Sequence, residues 1–455
     1  MKAMVAQEKL IQKYNLPVPR YTSYPTVPFW ENQMKGDDWH SLVHQAFQLY
    51  GKEDGIALYI HFPFCESLCT YCGCNKYITR NHEVEQTYSD SLLKEWKGYL
   101  KTFGEKPRIK SLHLGGGTPS FFSPEALQKV LGTILESCEI DPAKEFSFEG
   151  HPNNTTSEHL RVLKSLGFDR VSFGIQDFDP KVQEAIHRIQ PFEKVAEVTE
   201  AARNLGFTSI NFDLIYGLPH QTQETLQATF GKVKELLPDR IAFYSYAHLP
   251  SVFKAQKSFE SFLPKETEKR KLYEFGKSLL KDFGYEEVGM DHFALPHDPL
   301  CLAKDMGTLH RNFMGYTLSP GKIMIGLGAS SISDVYLGYA QNEKNHKTYN
   351  QQIASAENII QRNHRNSELD LLTRDLILDL ICRHEAEIPA KIWDELPSLN
   401  RRNLEEMEQE GLLIRKENQL VILEPGIAFI RNICFQFDLK MLERKEVTVQ
   451  FSKSI

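Results

Sequence analysis

Four cysteines crowd the ten-residue stretch "CESLCTYCGC": Cys65, Cys69, Cys72 and Cys74, separated by three, two and one residues. Soft thiolates in this arrangement select zinc, copper(I) or an iron-sulfur cluster. A structural zinc site usually draws its four ligands from two separated knuckles, and this chain has no second Cys-x-x-Cys. A zinc site built from the one continuous loop is cramped. A three-cysteine loop suits a 4Fe-4S cluster with one iron left open to a small molecule, whereas four thiolates saturate the cluster and make it an electron carrier. The other cysteines, Cys138, Cys301, Cys382 and Cys434, are isolated in apolar or helical contexts and read as buried, inert thiols.

The elements that must position this loop are legible as short β-branched and aromatic runs: 56–63, 109–117, 145–150, 170–176, 209–217 and 240–250. Between them lie amphipathic stretches such as "SDSLLKEWKGYLKTF" and "EKVAEVTEAARNLGF", with apolar residues recurring at three and four. This alternation predicts six successive β-α units around a parallel sheet, an incomplete barrel. In such barrels functional residues gather at the C-terminal ends of strands. The cysteines follow the first run, "GGGTP" the second, "EGHPNN" the third, "GIQDF" the fourth and "DLIYGLP" the fifth. One site at one mouth is the expectation.

The 455 residues, 41% hydrophobic and 25% charged, exceed one ordinary core and have the composition of a soluble globular protein. We expect an N-terminal arm over 1–50, the barrel core over 51–250, an extension over 251–365, a helix-rich domain over 366–437 and a tail over 438–455. The arm carries the proline- and aromatic-rich "PVPRYTSYPTVPFW", and the helix-rich domain contains "LLIRKENQLVIL", which reads as a two-stranded wing. A net charge of -7 without a long Lys/Arg run argues against general nucleic-acid binding, although a small basic patch is compatible with it. The helix "LNRRNLEEMEQEGLL" near the wing turns acidic after Arg401 and Arg402, unlike a recognition helix. With no signal-peptide h-region and no run near the roughly 18 apolar residues of a membrane span, a cytoplasmic protein is expected. There thiols stay reduced, which favours a metal or cluster over disulfides.

The Cys-x3-Cys-x2-Cys loop at the end of a first strand, followed by "GGGTP" after the second, resembles the radical S-adenosylmethionine (SAM) enzymes. The resemblance implies that Cys65, Cys69 and Cys72 hold three irons, and that the fourth chelates the amino and carboxylate groups of SAM. Reduction of the cluster then cleaves SAM to methionine and a 5'-deoxyadenosyl radical. The implied fold is α/β: an incomplete (β/α)6 radical SAM barrel with an N-terminal arm and a helix-rich, winged-helix-like C-terminal domain. Beyond the loop, "PRYTSYPT", "YIHFPFC", "CGCNK", "LGGGTP", "SFGIQDF", "NFDLIYGLP", "YAHLP", "GMDHFA", "LHRNFMGYT" and "AQN" occur in the order seen in oxygen-independent coproporphyrinogen III oxidases. That match runs from about residue 17 to 437.

This closer resemblance implies oxidative decarboxylation of the ring A and B propionates of coproporphyrinogen III to vinyl groups. The product is protoporphyrinogen IX, for heme synthesis, and two SAM molecules are consumed. Hydrogen is removed from the propionate carbon next to the pyrrole. Carried over by position, Tyr59, Gly116, Glu149 and Ile332 contact one SAM, and Tyr71, Gly117, Thr118, Gln176, Arg188, Asp213 and Ala247 contact a second. Cys74 is not a ligand in the family but distinguishes the oxidases from related heme chaperones. His151 stands where the family usually carries an acidic residue. An electron donor such as a flavodoxin or ferredoxin system and a monomeric state are further expectations. Arg20, Arg80 and Arg311 are candidate partners for the substrate carboxylates, and the arm is expected to close over the mouth. Heme chaperones, heme-degrading enzymes and methyltransferases of the same superfamily are the competing readings.

Overall fold

Near-continuous apolar runs make strands covered on both faces, the habit of parallel sheets. In the computed structural model, which describes residues 9–35, 37–318, 321–443 and 451–453, the six expected runs are strands. They are β1 (Ile56–Phe62), β2 (Arg108–Gly116), β3 (Glu139–Gly150), β4 (Arg170–Gln176), β5 (Ser209–Tyr216) and β6 (Arg240–Ser245). Each pairs in parallel with the next. β3 begins earlier than expected because Glu139 and Ile140 pair with Arg108 and Ile109 before the register shifts at Ser111. The turn-like Asp141-Pro142 conceals that early pairing in the sequence.

The sheet continues past both ends of this series. It holds twelve strands in the order β12-β11-β10-β9-β1-β2-β3-β4-β5-β6-β8-β7, where β7 is Glu286–Gly289, β8 His292–Ala294, β9 Met324–Leu327, β10 Ile332–Asp334, β11 Gly338–Asn342 and β12 Ile360–Arg365. β9 runs parallel to β1, with Tyr59 opposite Gly326, and so occupies the edge of β1 that a closed barrel would give to a later unit. The barrel stays open.

Helices connect the strands and stop for identifiable reasons. α1 (Asp38–Ala46) buries Trp39, Leu42, Val43 and Ala46, an i, i+3, i+4, i+7 stripe. α2 (Val84–Phe103) ends where Gly104 turns left-handed and its N–H reaches the Leu100 carbonyl. α3 (Pro124–Glu136) starts on Ser123, whose side chain accepts from the Ala126 N–H, with proline in the first turn. Capping boxes open α4 (Ser157–Ser165) at Thr156 and α6 (Gln223–Leu236) at Thr222. α5 (Phe192–Asn204), α7 (Glu266–Asp282) and α8 (His346–Ser355) belong to the same series. No helix among the described residues is long and apolar enough to cross a membrane.

The chain divides into two units: Met34–Leu302 with Gly321–Asn363, which holds the barrel, and a second that gathers 9–33, 303–318 and the described residues from 364 onward. The expected arm is therefore shared. Residues 9–33 join the second unit, while α1 packs into the barrel unit, where Trp39 Nε1 donates to the Tyr99 hydroxyl at 3.0 Å. In the second unit the expected wing is the hairpin Leu413–Lys416 and Gln419–Ile422, extended to three strands by Glu385–Glu387. Arg431 holds the arm there, donating to the carbonyls of Val18, Pro19 (3.0 Å), Ser452 (3.1 Å) and Lys453 (2.8 Å). Tyr21 adds a bond to Asp438 at 3.1 Å.

Candidate functional site

Strand residues two apart share a face, and one face of this sheet is polar toward the C-terminal strand ends. Its members bond one another. On β1 the Tyr59 hydroxyl donates to His61 Nδ1 at 3.0 Å, because the opposite ring nitrogen gives its proton to the Asn75 carbonyl at 3.0 Å. Burial pushes the His61 pKa down, which favours this neutral tautomer. His113 on β2 joins Ser147 (2.8 Å) and Glu149 (3.4 Å) on β3. On β5, Asn211 donates to Asp213 at 2.8 Å and to Ser172 of β4 at 2.7 Å, and Ser172 in turn donates to Asp213 at 3.0 Å. Burial, with Glu149 nearby, pushes the Asp213 carboxyl up to about 7.

The cysteine loop leaves β1 through the short strand Phe64–Cys65, which pairs with Tyr77–Ile78 on its return. The glycine turn after β2 locks against it: Gly117 N–H donates to the Phe62 carbonyl (2.8 Å) and Thr118 N–H to the Phe64 carbonyl (3.0 Å). These contacts explain the glycines. A Cβ on Gly117 would stand 2.9 Å from the Phe64 carbonyl oxygen and 3.0 Å from Cys65 Sγ; one on Gly116, whose φ is +115°, would stand 2.7 Å from the His61 ring. Burial raises the Cys65 thiol to about 11, while a hydrogen bond from Cys74 is the main cause that holds Cys72 down to about 6.

Cys65, Cys69 and Cys72 line one cavity of about 280 Å³, together with Tyr71, Gly116, Gly117, Thr118, Glu149, Gln176, Arg188 and Asp213. Arg188 crosses from the loop after β4 to donate to Cys69 Sγ at 3.4 Å and the Gly174 carbonyl at 2.6 Å; its buried Nε has no hydrogen-bond partner. Among the described residues no three His, Cys, Asp or Glu side chains converge as a single ion requires. The donor set suits a larger group with soft, multiple metal sites. The glycine turn and the unpartnered Arg188 nitrogen leave polar backbone and positive charge for a bound carboxylate.

Three expected residues stand outside the lining. Tyr59 stacks on His113 with ring centroids 6.0 Å apart, and Ile332 crowds Gly326, the β9 partner of Tyr59. The Ala247 carbonyl accepts from Gln256 Nε2 (3.3 Å), which also donates to the Tyr71 carbonyl (3.0 Å). Sequence reasoning missed His61, Lys76, Asn154, Ser172, Gly174 and Tyr244. Polar residues at every second position, as in "NFD" and "VSFGIQ", were the available signal. His151 lines the cavity too, and burial with Arg188 nearby drives its pKa down to about 2, so it is neutral. Cys74 is exposed yet also lines it. Of the candidate carboxylate partners, Arg80 is exposed, whereas Arg311 is buried over the Tyr316 ring with Nε and Nη1 unpartnered.

Parallel strands that deliver a three-cysteine loop and a glycine cradle to one cavity define a radical SAM protein, and the profile of the Radical SAM superfamily matches residues 59–233. That superfamily implies a 4Fe-4S cluster and SAM. Within it, the chain belongs to the oxygen-independent coproporphyrinogen III oxidase family. It is 37% identical over 453 residues to the enzyme of that name from Escherichia coli K12, covering 98% of each chain. The Synechocystis enzyme is 34% identical, over 98% of this chain and 97% of its own. The solved structure of the Escherichia coli coproporphyrinogen III oxidase, described as a radical SAM enzyme, superposes with a TM-score of 0.87 at 35% identity, covering 95% of this chain and 98% of that one.

Proposed function

We propose that this protein is an oxygen-independent coproporphyrinogen III oxidase: it decarboxylates the ring A and B propionates of coproporphyrinogen III to vinyl groups and yields protoporphyrinogen IX for heme synthesis. The observation that carries this reading is the meeting of three loop thiols, a glycine cradle, Arg188 and Asp213 on one cavity, in a chain related over its whole length to enzymes of that name. Cys65, Cys69 and Cys72 are the cluster ligands. Bound cluster and SAM supply a 5'-deoxyadenosyl radical, and the protein's part is to orient reactants and exclude water.

Two SAM molecules are used per product. Tyr59, Gly116, Glu149 and Ile332 face the first, a grouping supported by the adjacency of Tyr59, Gly326 and Ile332 across β1, β9 and β10. Tyr71, Gly117, Thr118, Gln176, Arg188, Asp213 and Ala247 face the second, supported by the Gln256 bridge between Tyr71 and Ala247. Arg188 offers charge-assisted hydrogen bonds to a carboxylate, and Asp213 accepts from hydroxyl or ammonium donors. A flavodoxin or ferredoxin system provides electrons, and the enzyme works as a cytoplasmic monomer.

Anaerobic reconstitution with iron and sulfide, followed by SAM, reductant and coproporphyrinogen III, tests the reading. The expected result is 5'-deoxyadenosine and vinyl product together, in a ratio of two deoxyadenosines to one protoporphyrinogen. Deoxyadenosine without vinyl product points to another substrate; neither product, with heme retained, points to a chaperone.

A further inference from the structure

The cluster proposed above needs electrons from outside, and the loop that carries it has one face turned to solvent. Cys65 pairs with Ile78 across the short two-stranded sheet, one strand spacing or about 4.8 Å away. Thr79 N–H donates to the Cys65 carbonyl at 2.9 Å and Tyr77 N–H to the Pro63 carbonyl at 2.6 Å, so this strand is bonded directly to the backbone of a cluster cysteine. Yet Tyr77 and Ile78 are 39% and 38% exposed. The pair thus presents apolar surface directly beside the loop that carries the cluster.

Two lysines stand beside the pair. The N-terminal turn of α8 abuts it: the His346 ring lies 4.3 Å from the Tyr77 ring, Lys347 Nζ lies 5.9 Å from that ring, and Asn75 Nδ2 donates to the Lys344 carbonyl at 3.0 Å. Lys344 and Lys347 are both exposed. Two exposed cations therefore stand at this corner. Lysines at a helix N-terminus oppose the macrodipole, whose positive end is already there. Helix stability therefore does not account for them. The acidic neighbour Glu343 is engaged by the Asn345 N–H at 2.8 Å. The chain as a whole carries a net charge of -7, so attraction of an acidic partner has to come from local cations such as these.

We infer that Tyr77 and Ile78, flanked by Lys344 and Lys347, form the docking surface for an acidic one-electron donor protein that reduces the cluster. An apolar centre with a charged rim is the usual anatomy of such a contact, and complementary charge sets its association rate. One electron passes from the donor's reduced cofactor to the oxidised cluster, leaving the donor oxidised by one electron; no bond is made in this step. The inference rests on the reading of Cys65, Cys69 and Cys72 as cluster ligands.

The test compares two reductants on the reconstituted full-length protein. Reduced flavodoxin, an acidic flavoprotein, and dithionite, a small molecule that needs no docking surface, are each mixed with wild type and with the double variant K344E/K347E at low ionic strength. A K52E/K106E variant, altered near the opposite strand ends, carries the same change of net charge. Cluster reduction by flavodoxin is expected to slow on the order of tenfold in K344E/K347E, to lose most of its salt dependence, and to stay near wild type in K52E/K106E. Reduction by dithionite is expected to be equal in all three. Equal flavodoxin rates in wild type and K344E/K347E, an equal loss with both reductants, or a wild-type cluster that dithionite reduces and flavodoxin does not, would each overturn the docking surface. Failure of dithionite to reduce the wild-type protein would instead overturn the cluster reading beneath it.

Discussion

Cys69 and Cys74 carry the same thiol five positions apart, but their surroundings differ. Arg188 reaches Cys69 Sγ, whereas Cys74 is exposed and hydrogen-bonds to Cys72. Cys69→Ser is therefore expected to abolish the reconstituted cluster, seen as loss of its visible absorbance and of deoxyadenosine formation. Cys74→Ser is expected to keep both. Asp213 makes a second residue-scale prediction. Its carboxyl is raised to about 7, so it is protonated over more of the acid range than an ordinary aspartate. Only the ionised form accepts fully from SAM hydroxyl or ammonium donors. The dissociation constant of SAM should rise as pH falls through about 7, and Asp213→Asn should bind on the order of tenfold more weakly with that pH dependence flattened; equilibrium binding from pH 6 to 8.5 checks it.

At the scale of the element, the site depends on turns that cannot move. Gly116 combines a positive φ with a close approach to His61, so Gly116→Ala strains the backbone and displaces the ring. SAM binding is expected to fall tenfold or more, with partial recovery in the double variant with His61→Ala, which relieves the clash but not the backbone strain. The turn after β4 is held differently. Buried Asp177 accepts from Gln221 Nε2 (2.6 Å) and the Thr229 hydroxyl (2.7 Å), and Gln221 also accepts from the Leu218 N–H (2.9 Å). Gln190 ties the same turn to the Arg188 segment by donating to the Gly174 and Ile175 carbonyls. Gln221→Leu leaves a buried carboxylate short of a donor and should cost about 2–3 kcal/mol, read as a lower denaturation midpoint of the barrel unit.

For the whole molecule, the second unit closes on its own N-terminal segment through Arg431. One buried guanidinium satisfies carbonyls from residues 18–19 and 452–453. Arg431→Ala removes a shared donor from those carbonyls and should lower the stability of that unit by about 3 kcal/mol. Differential scanning calorimetry should show one transition shifted down, while the cluster's absorbance after reconstitution stays unchanged. Net charge belongs to this scale too: the chain is acidic overall, so attraction of an acidic donor has to come from local cations such as Lys344 and Lys347, and donor-driven turnover is expected to weaken as salt rises.

The sequence by itself determined the cysteine spacing, the six apolar strand runs and the strand-end motifs that follow them. Each of these is local: a ligand loop is specified by spacing, a buried strand by its side-chain pattern, and a turn by its glycines. Two residues apart on a strand is also local, so the polar line through Asn211 and Asp213 was legible as well. Tertiary structure alone decided the rest. It set β9 against β1, divided the described residues of the expected arm between two units, and brought Arg188 across 119 positions to Cys69. It also placed Lys347 beside Tyr77, far along the chain, where no periodicity connects them. Such pairings depend on which faces remain to be buried after the local elements form, and that quantity exists only once the chain has folded.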